Sequence, residues 1–199
     1  MEPIKDIWAL VIALAAVING LGIVRLVGGF SDYLKKHTEL NVRHYWVYTL
    51  LVTFQLLTHL LLWWSIIGVR SSVDNLNFLT YLYLVVGPTL LFLSTALMVP
   101  DIKSKSINLR TEYYSFRKTF FSILIIFWLW AIFIWPVFGH PFAPTVPLIA
   151  VWLIISLVLR LTDNPKAHAV LVIANCVVYA AFVAIFAMQL GEVGRRAVE

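Results

Sequence analysis

Six long apolar segments, separated by short charged loops, constrain this chain more than any other feature of its sequence. They cover residues 7–30, 45–67, 76–99, 116–137, 146–161 and 167–190. The hydrocarbon core of a bilayer is about 30 Å thick, so a helix that crosses it needs roughly 20 consecutive apolar residues. All the segments but 146–161 meet this length. The sequence therefore predicts a polytopic membrane protein with six transmembrane helices in one domain, 1–199.

Composition supports lipid as the solvent of this chain. Hydrophobic residues make up 61% of it and charged residues only 13%, against about 25% charged in a typical soluble protein. Helices are expected rather than strands, because lipid-exposed backbone must satisfy its own hydrogen bonds and the alternating pattern of barrel strands is absent. The first segment is interpreted as a retained span, since no small-residue cleavage site follows it. We therefore expect an all-α bundle without a separate soluble domain.

The positive charges are distributed unevenly between the two sides of the predicted bundle. Eleven of the fifteen Lys and Arg residues fall in or beside the loops that follow the first, third and fifth segments. The positive-inside rule places these loops in the cytoplasm and both termini on the other side, which is the periplasm for a bacterial inner membrane. Because the charges lie in topogenic loops, a nucleic-acid partner is not expected. The eleven are Arg25, Lys35, Lys36, Arg43, Lys103, Lys105, Arg110, Arg117, Lys118, Arg160 and Lys166.

The segment before the fourth span carries a candidate cytoplasmic site. Asn108 is placed to cap a helix that runs into that span, and on this helix the residues at 110, 113, 114 and 117 share one face. Two interpretations are open: a collar of side chains that snorkel to anionic headgroups, or a docking or phosphate-binding surface. The basic cluster of this side, a candidate contact for a cytoplasmic protein partner, consists of Arg25, Arg43, Arg110, Arg117 and Lys118.

The sequence contains none of the common enzyme signatures. It has no Gly-rich phosphate loop, no zinc-type spacing of His and Cys, no His-Glu-x-x-His helix and no Gly-x-Ser-x-Gly elbow. The six segments contain no Asp or Glu, which disfavours carboxylate-based catalysis and proton relays within the membrane. We therefore expect the protein not to be an enzyme.

The apolar segments contain a sparse set of polar residues that avoid lipid: Asn19, Gln55, His59 and Asn175. One interpretation is interhelical hydrogen bonding, worth about 0.6–2 kcal/mol for each group. The other is a hydrated path that includes Gln55 and His59, which share a helix face, with His59 as a titratable group. Haem ligation by His59 is a minor possibility, because a second axial His at the same depth is missing. We expect no cofactor and no metal.

Small residues in the first segment predict close helix contacts, either with another span or with another subunit. Arg25 lies among them and either snorkels to the headgroup region or pairs with a cytoplasmic carboxylate, Asp32, Asp101 or Glu112. The small residues are Gly20, Gly22, Gly28 and Gly29.

Residues 15–120 resemble a widespread family of small bacterial inner-membrane proteins with no known activity. The matching pieces are Leu21-Gly22 followed by Gly28-Gly29-Phe30, Trp63-Trp64, Pro100-Asp101, and Tyr113-Tyr114 with Arg117-Lys118. The chain departs from the family pattern after Pro100-Asp101, where it has Lys103 and Lys105 instead of acidic residues. The resemblance implies a bacterial inner-membrane location and the same topology.

Two function hypotheses follow. The first is a small oligomeric channel or transporter-like protein, with Gln55 and His59 on the hydrated face and Asn19 and Asn175 nearby. A homo-oligomer is expected because 199 residues offer few helices to enclose a path. The alternative is a non-transporting membrane sensor or interaction subunit that holds a cytoplasmic partner through loops 31–44 and 100–115.

Overall fold

A computed structural model describes residues 3–36, 41–70, 77–99 and 106–188. The predicted residues Asp101, Lys103 and Lys105 and the end of the last predicted segment, 189–190, lie outside these ranges. The described elements are helices α1 (Pro3–Lys36), α2 (Trp46–Arg70), α3 (Phe78–Met98), α4 (Leu109–Val137), α5 (Val146–Leu161) and α6 (Pro165–Phe182), a π-helical turn (Val183–Ala187) that continues α6, and strands β1 (Asn41–Arg43) and β2 (Ser106–Asn108).

The structure confirms the all-α membrane class. Five helices, all except α5, are long and apolar enough to cross a membrane. Helix α5 has 16 residues, which corresponds to about 24 Å of helix at 1.5 Å per residue. Helix α4 begins seven residues before the predicted fourth span, because the Asn108 side chain accepts hydrogen bonds from the backbone N–H groups of Arg110 and Thr111.

The helices pack so that α2 has neighbours on several sides. Helix α1 packs on α2 and α3, α3 on α4, α4 on α5, and α5 on α6, which returns to α2. Helix α2 also contacts α3 and α4. Large apolar side chains are exposed on the outside of the helices, among them Leu10, Leu60, Phe78 and Val170. Such a surface suits lipid rather than water.

One end of the bundle carries the two short strands, and we call it the ribbon end. Strands β1 and β2 pair in parallel, with Val42 opposite Ile107, and they connect the segment after α1 to the segment before α4. Both segments are loops in the prediction from sequence. Three residues are too few to show the alternation by which a strand is recognised, so their pairing was not foreseen.

Helices α3 and α4 approach closely at a glycine. The Trp130 indole donates a hydrogen bond to the Tyr83 carbonyl (2.8 Å), and the Tyr83 hydroxyl donates one to the Trp130 carbonyl (2.6 Å). A Cβ atom at Gly87 would lie 2.3 Å from the Trp130 ring, so the indole occupies the space that any side chain there would need. Helix α3 continues without a break through Pro88.

Stacked aromatic rings fill the space between α2 and the C-terminal helices. The rings of Trp128 on α4 and Trp152 on α5 stack with centroids 4.9 Å apart. Phe54 of α2 contacts both indoles, and Tyr179 of α6 contacts Phe54. The C-terminal half of the bundle is therefore held mainly by apolar and aromatic contact, whose large buried area makes it effective.

Candidate functional site

A cluster of polar side chains joins α1, α2 and α3 inside the bundle. Its members are completely or almost completely buried, and we call it the polar cluster: Asn19, Gln55, His59, Ser94 and Thr95. Gln55 and His59 are four residues apart on α2 and share a face, as the sequence predicted. Asn19 approaches them from α1. Ser94 and Thr95 complete the cluster from α3, and neither residue was predicted from the sequence.

Hydrogen-bond directions in the polar cluster follow from Asn19. Its Nδ2 donates to the His59 backbone carbonyl at 3.0 Å, so its Oδ1 is the atom that faces His59 Nδ1, 2.7 Å away. A carbonyl oxygen only accepts. The Nδ1 atom therefore carries the proton, and in a neutral ring Nε2 is an acceptor.

The remaining bonds fit that assignment. Thr95 Oγ1 lies 2.8 Å from His59 Nε2 and donates to it. The same oxygen accepts from Gln55 Nε2 at 3.0 Å, and Gln55 Nε2 also donates to Ser94 Oγ at 2.7 Å. The donors thus run in one direction, from Gln55 through Thr95 and His59 to Asn19. A neutral imidazole is satisfied at both nitrogens, and haem ligation would require one of these bonds to break.

One atom of the polar cluster remains unpaired. Gln55 Oε1 is buried and has no hydrogen-bond partner, although its own amide nitrogen is fully engaged. A buried acceptor without a partner costs about 1–3 kcal/mol. This oxygen is the position where the cluster can accept an additional donor, such as a hydroxyl hydrogen that turns away from His59.

Glycine on α1 makes room for the His59 ring. A Cβ atom at Gly22 would lie 2.2 Å from His59 Cε1, closer than any real contact. At Gly29 the Cβ would meet a methyl group of Val99 at 2.6 Å, whereas Gly20 and Gly28 have nothing within 4 Å. Two of the four predicted packing glycines therefore lie at close helix contacts, and the other two lie at open positions.

Asn175 belongs to a different part of the bundle. It is buried on α6 and lies four residues before Tyr179 and seven before Phe182, both of which contact Trp152. This spacing puts it on the α6 face that meets the aromatic side chains. Its Oδ1 has no partner, and none of the polar cluster's bonds includes it. Of the four predicted polar residues, Asn19, Gln55 and His59 therefore lie together, and Asn175 lies apart from them.

A second group of polar side chains lies at the ribbon end, and we call it the ribbon-end cluster: Arg117, His168, Tyr113, Thr162 and Asp163. Arg117 is only 1% exposed and donates to the Thr162 carbonyl and the Asp163 carboxylate. His168 Nε2 lies 2.9 Å from the same carbonyl, and its Nδ1 lies 2.6 Å from the Tyr113 hydroxyl. The group joins α4 to the α5–α6 loop and to α6.

The predicted basic cluster is divided by this arrangement. Arg43, Arg110 and Lys118 are exposed at the ribbon end, and Arg25 is exposed on α1. Arg117, which was predicted on the same surface, is instead buried beneath it with Asp163 as its counterion. Its role is to bind the α5–α6 loop, 46 residues away.

Comparison with known proteins supplies no further assignment: no protein-family model, curated protein or solved structure matches the chain. The described residues contain no group of three His, Cys, Asp or Glu side chains that could hold a metal ion.

Proposed function

We propose that the protein is a small transporter-like membrane protein in which His59 takes up and releases a proton during the transport cycle. The observation that supports it is the buried imidazole of His59, held at both nitrogens in a polar cluster built by three helices. Ionisable groups within membrane-spanning helices are rare and commonly mark ion or proton pathways. The chemistry of the cluster admits one proton through a small rearrangement.

That rearrangement has definite donors and acceptors. If a proton binds His59 Nε2, this nitrogen becomes a donor to Thr95 Oγ1, and the Thr95 hydroxyl hydrogen must find another acceptor. Gln55 supplies it by turning its amide, because Oε1 is unpaired. The protonated and neutral forms of His59 therefore favour different arrangements of the same side chains. Proton binding shifts the balance between these two arrangements only because they differ in their affinity for the proton.

The cluster resembles the closed centre of a transporter more than the wall of an open channel. Along α2, Leu51 precedes it and Leu62 follows it, and both are buried. Toward the ribbon end it is separated from the helix termini by Tyr48 and Met98, whose hydroxyl and carbonyl groups are joined by a hydrogen bond of 2.6 Å. Thr95 is only three residues from the end of α3 at Met98, so access from the ribbon end is the shorter route.

Proton flux into proteoliposomes tests this proposal, with His59→Gln as the principal variant. Glutamine can still hydrogen bond inside the cluster, but it cannot take up a proton. We expect flux to fall at least about tenfold in His59→Gln while the protein remains folded and inserted. The control is Thr58→Val, because Thr58 is equally buried on α2 but bonds only to the Phe54 carbonyl of its own helix. Equal flux in wild type and His59→Gln, or no flux in well-folded wild type, contradicts the proposal.

The second candidate is the non-transporting sensor or interaction subunit. The exposed cations at the ribbon end favour it, since Arg43, Arg110 and Lys118 are available to an acidic cytoplasmic partner. The double variant Arg110→Ala with Lys118→Ala tests this candidate. Arg117 is left unchanged, because its truncation would leave Asp163 without its counterion. Loss of a co-purifying protein from wild type to this double variant, with flux absent in both, would favour this candidate.

Membrane, orientation and assembly belong to the same proposal. We place the protein in a bacterial inner membrane with the ribbon end in the cytoplasm, because the exposed cations of that end obey the positive-inside rule. Lys118→Cys and His140→Cys, each made in a Cys176→Ala chain, provide single cysteines at opposite ends of the bundle. An impermeant maleimide should label these two cysteines from opposite sides of the membrane. A homo-oligomer is proposed as the assembled state, and light scattering in detergent tests it.

A further inference from the structure

An arginine near the end of α5 is fixed against α4 by a side-chain hydrogen bond. Arg160 Nε donates to Ser122 Oγ at 2.7 Å, and the Ser122 hydroxyl in turn donates to the Lys118 carbonyl, also at 2.7 Å. A free arginine side chain has many rotamers, and a bond of this kind selects among them. The Arg160 guanidinium therefore has a defined position on the exposed side of the contact between α4 and α5.

The terminal nitrogens of this guanidinium have no partner among the described residues. The Arg160 side chain makes a hydrogen bond to Ser122 alone, and no described carboxylate pairs with it. Asp163, three residues later, is bound by Arg117. Glu112 is ten residues before Ser122, which corresponds to about 15 Å along α4. The Nη1 and Nη2 atoms, which carry all the N–H donors of the group except that on Nε, are thus available to a ligand.

A second cation lies on the same face of α4. Lys118 is exposed and one turn before Ser122, and its side chain has no carboxylate partner in the parts of the chain that the structure describes. Residues four apart are neighbours on the surface of a helix, so Lys118 belongs to the face of α4 that Arg160 meets. The surface where α4 joins α5 therefore carries two positive charges without a counterion from these parts of the protein.

Arg160 lies far from the tip of α4, at the depth of the predicted membrane spans. Ser122 is about 20 Å along α4 from its first residue, Leu109, and about 9 Å inside the span predicted to begin at residue 116. Helix α5 ends at Leu161 after about 24 Å, whereas the hydrocarbon core is about 30 Å thick. A charge at this depth is costly in lipid unless it is paired or reaches the headgroups.

The surface next to these cations, on the side away from the ribbon end, is apolar. Its side chains are large and exposed, and their spacings of four, seven and eleven residues from Ser122 and of three residues from Arg160 put them on the same faces. They are Ile126, Leu129 and Phe133 on α4 and Leu157 on α5. A polar end followed by an apolar track matches the two parts of a lipid molecule.

We propose that the surface between α4 and α5 binds one anionic phospholipid. Arg160 and Lys118 bind its headgroup phosphate, and the acyl chains lie along the apolar track that begins at Ile126. Phosphate oxygens accept charge-assisted hydrogen bonds, and the planar fork of arginine can hold two of them at once. An anionic lipid suits this surface better than a zwitterionic one, because two cations need a partner with net negative charge.

The experiment uses the purified full chain in an uncharged detergent and measures ligand-induced shifts in the midpoint of thermal unfolding. Three probes are added separately: a short-chain phosphatidylglycerol, phosphatidylcholine of the same chain length, and inorganic phosphate. A ligand that binds the folded state raises the midpoint according to its affinity. We expect phosphatidylglycerol to bind at least about tenfold more tightly than phosphatidylcholine, and inorganic phosphate to cause no shift that depends on Arg160.

Variants separate the site from general electrostatic attraction. Arg160→Gln should weaken phosphatidylglycerol binding about tenfold. Lys118→Gln and Ser122→Ala should each weaken it about threefold, the first by removing a charge and the second by releasing the guanidinium from its position. Arg43→Gln is the matched control, because it removes an equally exposed arginine of the ribbon end from strand β1, and its effect should be under about twofold.

Three results would overturn the proposal. Equal binding of phosphatidylglycerol and phosphatidylcholine by wild type would show that no anionic headgroup is preferred. An equal loss in Arg43→Gln and Arg160→Gln would show that charge alone attracts the lipid. A shift caused by inorganic phosphate and lost in Arg160→Gln would show that the ligand is a free anion. The site shares no residue with the polar cluster, and its test is independent of proton flux.

Discussion

The polar cluster and the ribbon end both bury hydrogen-bonding side chains, yet they differ in how completely these are paired. In the polar cluster every donor has an acceptor, and Gln55 Oε1 is the one atom left over. At the ribbon end, Tyr45, Tyr114 and Arg117 each retain an unpaired atom. A network whose donors are all paired favours one geometry, whereas buried groups without a partner cost free energy in the folded state. We therefore expect the removal of a hydroxyl group to destabilise the protein at the polar cluster and to stabilise it at the ribbon end.

The largest expected effect concerns the rigidity of the polar cluster. Gly22→Ala should lower the free energy of unfolding by about 3 kcal/mol, near the upper end of typical overpacking costs, because the new Cβ would overlap the His59 ring. The ring is bonded on both sides and cannot move away without breaking a bond. Unfolding by denaturant in detergent measures the change.

Gly20→Ala is the matched control for that substitution. A Cβ at Gly20 has nothing within 4 Å, and alanine is about 1 kcal/mol more favourable than glycine within a helix. This variant should be as stable as wild type or more stable. Equal stability of the Gly22→Ala and Gly20→Ala variants would mean that the His59 ring is free to move, which would contradict a fixed position for that ring.

Removal of a paired hydroxyl should destabilise the protein. Thr95→Val deletes the oxygen that joins Gln55 to His59. It leaves His59 Nε2 without a partner, while Gln55 keeps its bond to Ser94. We expect a loss of about 2 kcal/mol, within the range for buried groups left unsatisfied. Thr58→Val, which loses only a bond to its own helix, should cost less than about 0.5 kcal/mol. Thermal unfolding followed by tryptophan fluorescence compares the two variants.

Removal of an unpaired hydroxyl should have the opposite sign. Tyr114→Phe deletes a buried oxygen that makes no hydrogen bond of normal geometry and should stabilise the protein by up to about 1 kcal/mol. The same thermal assay measures the difference between this variant and wild type. A destabilised Tyr114→Phe protein would show that this hydroxyl is paired after all.

The smallest effect is expected at the second close glycine of α1. At Gly29 the new Cβ would meet one methyl group of Val99 at 2.6 Å, and a valine side chain at the end of α3 can turn away. Gly29→Ala should therefore cost under about 1 kcal/mol, and Gly28→Ala, at an open position, should cost nothing. The midpoints of thermal unfolding of the two variants test this prediction, since Gly29→Ala should unfold at the lower temperature.

Hydropathy was sufficient to predict the membrane class and the positions of the helices, because apolar length is decided locally. Asn108 as the cap of α4 was also predictable, since a cap depends on its nearest residues. The relation of Gln55 to His59 followed from helical spacing alone. These successes share one property: no information from distant parts of the chain was needed.

The remaining features depend on tertiary contacts. Ser and Thr are common in membrane helices and often bond to their own backbone, so nothing in the sequence distinguishes Thr95, which meets His59, from Thr58, which does not. Gly22 and Gly20 differ only in the direction they face on α1. Arg117 was predicted on the surface because its partner, Asp163, lies in a loop beyond another helix.

The short ribbon has a consequence for how the chain is inserted during synthesis. Strand β1 precedes α2 and strand β2 follows α3, so the two strands can pair only if both segments lie on the same side of the bilayer. That requires α2 and α3 to have crossed it as a complete pair. Residues 106–108 are synthesised after both helices. The pairing of Val42 with Ile107 can therefore form only after α2 and α3 have both crossed the bilayer.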